Sequence, residues 1–153
     1  MTALDPRVVQ FKGQSGVVAL EFLMVLPLLV GLLYAGLVYG VLFFHKLEMQ
    51  RAVDIAATAV FSLDRRQHAE FGSNAVAHSQ SALGGLSAQL PARIRNHIIK
   101  EECLDRSEGG VEMLVCELTV SSSEPFLPQL NLGYLGSFPP QPSELSVKAA
   151  VAF

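Results

Sequence analysis

Two sets of residues in this chain combine a reactive type with a usable spacing. The first is Gly16 followed, after four residues, by Glu21-Phe22, which places a carboxylate at the edge of Phe22–Phe44, a run of 23 residues without a formal charge. The second is the pair Cys103 and Cys116. The other candidates fall short of a site. His45, His68, His78 and His97 lack a spacing such as H-x-x-x-H, and two cysteines alone do not make a zinc centre. Glu101, Glu102, Asp105, Glu108 and Glu112 gather around the turn signal Ser107-Glu108-Gly109-Gly110, the pattern of a solvated rim. Ser121-Ser122-Ser123 has no nucleophile-elbow context, and Gly109-Gly110 lacks the lysine and helix start of a phosphate loop. The expectation is a non-enzyme with no cofactor and no metal. The net charge of −3, with no basic patch, sets nucleic-acid binding aside.

The carboxylate must be positioned by the apolar run behind it. At the helical rise, Phe22–Phe44 would be roughly 35 Å long, enough to cross a hydrocarbon core of about 30 Å. It is too long for the apolar part of a secretory signal, and no small-residue cleavage site comes before His45-Lys46-Leu47-Glu48. A retained transmembrane helix is therefore expected. A carboxylate at the bilayer centre costs on the order of 2.5–3.5 kcal/mol and less towards the edge. Glu21 thus either sits solvated at the interface or meets a positive charge inside an assembly. Pro27 removes one backbone donor and should loosen the helix locally. Gly36 and Gly40 form a G-x-x-x-G spacing that permits close helix approach in lipid, although glycine is common in membrane helices anyway. Tyr34 and Tyr39 sit where a tyrosine hydroxyl can reach the headgroups or a neighbour.

Gly16, Glu21 and Phe22 at the head of such a helix resemble the processing site of type IV pilin precursors. The similarity is closest to the short-leader, pilin-like TadE/TadF group of tight-adherence (Flp) pilus systems. Leu26-Pro27 early in the helix and the Ala- and Arg-containing stretch Gln50–Ala57 extend it over roughly Gly16 to Ala59. The resemblance implies cleavage after Gly16 by a membrane-embedded prepilin peptidase, with Val17 as the new N-terminus and Phe22 part of the recognised pattern. It gives Glu21 the role of setting subunit register, its carboxylate one helical turn from the new ammonium. It also implies other pilins or pseudopilins and a pilus assembly platform as partners, with roles in adhesion and biofilm formation. Residues 1–16 would then be a leader, 17–44 the inner-membrane helix and 45–153 a periplasmic domain. Basic residues do not fix this orientation, because Arg7 and Lys12 on one side balance Lys46 and Arg51 on the other. The competing class is an uncleaved single-pass anchor displaying a small interaction domain.

The remaining chain predicts an α+β fold, a long N-terminal transmembrane helix continuing into a small domain with a second helix and a short antiparallel sheet. Leu47, Met49, Ala52, Val53, Ala56, Ala59, Val60 and Leu63 recur at helical spacing and extend the first helix towards Arg65-Arg66. Residues 72–90 read as part weak helix and part linker, broken at Gly84-Gly85. Pro91 with Leu90, Ile94 and Ile98 predicts the second helix, ending near Glu102. Val111–Val120 reads as a strand, and Leu145, Val147, Ala149, Val151 and Phe153 alternate as a half-buried one. These two strands are expected to pair antiparallel over the helical stripe, with a third short strand in Leu127–Tyr134. A Cys103–Cys116 disulfide would tie the second helix to the first strand if the domain faces an oxidising compartment; two reduced buried thiols are the alternative. Ser121–Ser143 is proline-rich yet carries Phe126, Leu127, Leu130, Leu132, Tyr134, Leu135 and Phe138, which must pack back on the domain or form a contact surface.

Overall fold

The computed structural model describes residues 15–64, 71–121 and 126–153. The proposed leader residues 1–14, Arg65-Arg66 and the start of the proline-rich segment lie outside these ranges. The first helix, α1, runs unbroken from Ser15 to Thr58 with Pro27 inside it, and a 3₁₀ turn continues it from Ala59 to Ser62. The chain separates into two compact units, Met1–Leu37 and Val38–Phe153.

In the second unit, the buried residues of α1 are Val38, Leu42, Met49, Ala52, Val53, Ala56 and Ala57, continued by Val60 in the 3₁₀ turn. These positions repeat every three or four residues, the signature of one helical stripe. Leu47, expected on that stripe, is 58% exposed. Two residues before Met49 correspond to a rotation of about 200°, so its side chain points away from the stripe.

The second helix is α2, Phe71–Ser87, and it passes through Gly84-Gly85 without breaking. Tertiary contact overrides the low propensity of those glycines. Ala75, Ser79, Leu83 and Ser87 are buried at i, i+4, i+8 and i+12, a stripe hidden from a purely apolar count because two of its members are serines. The helix expected from Pro91 to Glu102 is only one turn, α3, Ala92–Arg95, with Pro91 capping it and Ile94 buried.

Strand β1 begins at once, from Ile98 to Glu108, where the sequence suggested helix and then loop. It pairs antiparallel with β2, Val111–Ser121, through the two-residue turn Gly109-Gly110. Both glycines have positive φ, 62° and 84°, the requirement of a tight hairpin turn. Strand β5, Glu144–Ala152, pairs with the other side of β2 in the expected antiparallel sense, giving the order β1-β2-β5. Leu114, Leu118, Val120, Leu145 and Val147 face the stripe of α1 and the buried side of α2 in one core. The short strand expected in 127–134 exists as β3, Leu130–Asn131. It pairs with β4, Ser137–Phe138, in a separate small hairpin rather than joining the main sheet.

Candidate processing and assembly site

Helix α1 positions every residue of the expected processing motif. Gly16 and Val17 occupy its first turn, Glu21 comes one turn later, and Phe22 begins the uncharged run. Val17 and Glu21 are an i, i+4 pair and so share a face. Val17 is 69% and Phe22 63% exposed, Glu21 is also exposed, and a Cβ at Gly16 would meet nothing within 4 Å. The first two turns of α1 are thus open to an enzyme or a second helix. Glu21 is the sole formal charge from Ser15 to Phe44. A cation placed beside it in a low-dielectric environment would interact more strongly than in water.

Further along, Pro27 leaves the Leu23 carbonyl without its usual helical donor. Gly36 and Gly40 are both exposed, with open space where a Cβ would stand. At the end of the uncharged run, His45 Nδ1 lies 3.5 Å from Glu48 Oε2. The Tyr39 hydroxyl donates to the Pro140 carbonyl at 2.8 Å, linking α1 to the segment after the small hairpin.

The cysteines form a disulfide, placed differently from expectation. Cys103 and Cys116 are directly opposite each other on β1 and β2, with Cα atoms 4.0 Å apart. The bridge therefore pins strand to strand rather than helix to strand. Both residues are buried in the core. So close a pair is a non-hydrogen-bonded one, which turns the Cys103 N–H towards the outer edge of β1. Gln80 on α2 meets that edge. Its Oε1 accepts from the Cys103 N–H at 2.7 Å and its Nε2 donates to the Glu101 carbonyl at 3.0 Å. No apolar or charge pattern signals this strand-mimicking amide in the sequence.

The outer face of the sheet carries a charge network that the reading of the acids as a loop rim missed. Glu102 and Glu117 are directly opposite in register, a repulsive arrangement on its own. Lys100 Nζ bridges them at 2.8 Å to each, and Lys148 Nζ reaches Glu117 at 3.0 Å. Hydrogen bonds from Lys100, then Lys148, hold the Glu117 carboxyl below the usual carboxylate range. Hydrogen bonds to Glu102 and Glu117 push the Lys100 ammonium up. Among the described residues, no three His, Cys, Asp or Glu side chains are grouped to hold a metal ion.

An α+β domain with one disulfide, together with one described helix that is long and apolar enough to cross a membrane, fits the class of single-pass membrane proteins. Comparison with protein families narrows this class. Residues 16–58 match the model described as TadE-like protein, so this part of the chain is similar to that family. No curated protein and no solved structure matches the chain.

Proposed function

We propose that the chain is a minor pilin or pseudopilin of a tight-adherence (Flp) pilus system. Its precursor is cut after Gly16 by a prepilin peptidase on the cytoplasmic side. Val17 becomes the N-terminus, residues 17–44 stay in the inner membrane, and residues 45–153 stand in the periplasm. The product assembles through α1 with other pilins or pseudopilins and the assembly platform, supporting pilus biogenesis, attachment and biofilm formation. The chain has no catalytic role in this reading.

The observation that carries the proposal is where the TadE-like match begins. It starts at Gly16, the glycine of the processing motif, and covers Glu21, Phe22 and Pro27. The open first turns of α1 supply access for the peptidase, and glycine before the scissile bond lets the backbone fit a tight active site. The disulfide supports a domain in an oxidising compartment. Glu21 pairs with an N-terminal ammonium of its own or a neighbouring subunit, which neutralises both charges as the helix packs in lipid.

Glu21→Ala tests this role in cells with the cognate system. The processed form is expected to persist while piliation and co-purification of partner pilins fall. Unchanged piliation together with unchanged partner recovery would overturn the assignment of Glu21.

A further inference from the structure

Residues 125–143 contain no Asp, Glu, Lys, Arg or His, the longest such stretch after the helix. The β3–β4 hairpin within it divides its apolar side chains. Phe126 is buried and Leu127 packs on the core, while Leu130 and Leu132 are about half exposed (50% and 48%) and Tyr134 is fully exposed. Leu132 and Tyr134 lie in the turn of a hairpin of four paired residues, and Leu130 lies in its outer pair.

The Tyr39–Pro140 hydrogen bond gives the base of this hairpin a position along α1. Tyr39 lies inside the uncharged run, six residues before His45, or about 9 Å below it along the axis. Val38 and Leu42, on the same turns, are buried in an otherwise exposed stretch of helix. Within the second unit, the Pro140 segment therefore lies beside Val38–Leu42, the last turns of the apolar run. Phe43 and Phe44, 67% and 58% exposed, place aromatic rings at this level of the helix, as at a membrane–water interface.

The hairpin is also built for a poorly hydrated setting, where unpaired backbone groups are costly. Gln141 donates to the Leu127 carbonyl at 2.9 Å and accepts from its N–H at 3.0 Å. Gln129 donates to the Pro139 carbonyl at 2.9 Å, and the Leu132 N–H donates to the Gly136 carbonyl at 2.9 Å. The Gly133 N–H is taken by Asn131 Oδ1. Prolines at 128, 139, 140 and 142 remove four further donors.

We propose that the β3–β4 hairpin is a membrane-seated wedge, with Leu130, Leu132 and Tyr134 resting in the interfacial layer of the bilayer that α1 crosses. The hairpin and the helix then form a two-point contact with lipid that fixes how the domain stands on the membrane. The inference rests on α1 being membrane-spanning and not on cleavage or pilus assembly.

The chain has no tryptophan, so single substitutions give clean reporters. Tyr134→Trp, Leu29→Trp and Val111→Trp are compared in the full chain, reconstituted in phosphatidylcholine–phosphatidylglycerol vesicles with and without acyl-chain bromination. Val111 sits beside the β1–β2 turn, beyond the end of β5 farthest from Pro140. The expected result is a blue-shifted Tyr134→Trp emission, quenched several-fold more by bromines near the headgroup than Val111→Trp. Leu29→Trp should be quenched best by bromines deep in the chain. Solvent-like Tyr134→Trp emission with quenched Leu29→Trp would overturn the wedge and leave the span intact. A Tyr134→Trp shielded from aqueous acrylamide yet untouched by brominated lipid would mean a protein occupant and overturn it equally. Unquenched Leu29→Trp would remove the span and the wedge together.

Discussion

Removing the disulfide is the most quantitative perturbation of the α+β domain. Cys103→Ala with Cys116→Ala avoids the unpaired buried thiol that either single change would leave. The bridge closes a loop whose ends are 13 residues apart, worth about 3 kcal/mol in the chain-entropy model. Against the 5–15 kcal/mol typical of a folded domain, that is a large fraction. The reporter should be the central strand β2, flanked on both sides in the sheet. Its amides are expected to exchange chiefly through global opening. Hydrogen exchange of peptides covering Val111–Ser121, in the full chain held in lipid nanodiscs, should accelerate by roughly a hundredfold in the double variant. Wild-type protein treated with reductant should exchange at a similar rate. Exchange within about threefold of wild type in both would refute the reasoning, because it would mean that the bridge constrains nothing the unfolded chain would otherwise explore.

Three further outcomes rest on the packing and the charges. Met49→Ala, at a position with no solvent exposure, should destabilise by about 2–5 kcal/mol, whereas exposed Leu47→Ala should stay within about 0.5 kcal/mol; denaturant titration of both separates the observed stripe from the expected one. Ser79→Ala should raise stability by about 1 kcal/mol in the same titration, since its hydroxyl is buried without a hydrogen-bond partner among the described residues and alanine is the better helix former. Because the folded-state Glu117 carboxyl is held below its usual value, its contribution is complete above the ordinary carboxylate range and is lost as pH falls through the lower folded value. Lys100, held above its usual value, contributes fully below the ordinary lysine range and loses that contribution only as pH rises through the raised value. Stability measured against pH should therefore have a shallower acid limb in Glu117→Gln, and an unchanged limb would assign the acid loss to other carboxylates.

Legibility in the sequence tracks the strength of each local signal. The apolar helix, β2, β5 and the Gly109-Gly110 turn were readable because long periodic runs and paired glycines admit few alternatives. Strand β1 was not, because Leu90, Ile94 and Ile98 imitate a helical repeat while the strand's outer face carries Lys100, Glu102 and Arg106. Its place in the sheet comes from pairing with β2 and from Gln80, both long-range. Helix α2 was legible only in part, since its buried face includes Ser79 and Ser87 and it runs through two glycines. The disulfide partners were correct, but their geometry was not, because it depended on β1. The proline-rich segment divides: Phe126 packs inward, as the packing alternative expects, while Leu130, Leu132 and Tyr134 stay exposed.

The central claim is that the chain is a processed pilin-like subunit, and the N-terminal residue tests it most directly. Intact mass and N-terminal sequence are measured for the full chain co-expressed with an active or an inactivated cognate prepilin peptidase. The account predicts a chain beginning at Val17 with the active enzyme and an uncut chain with the inactive one, and it predicts that Gly16→Leu blocks the cut. Retention of residues 1–16 in the presence of active peptidase would contradict it and leave an uncleaved anchor.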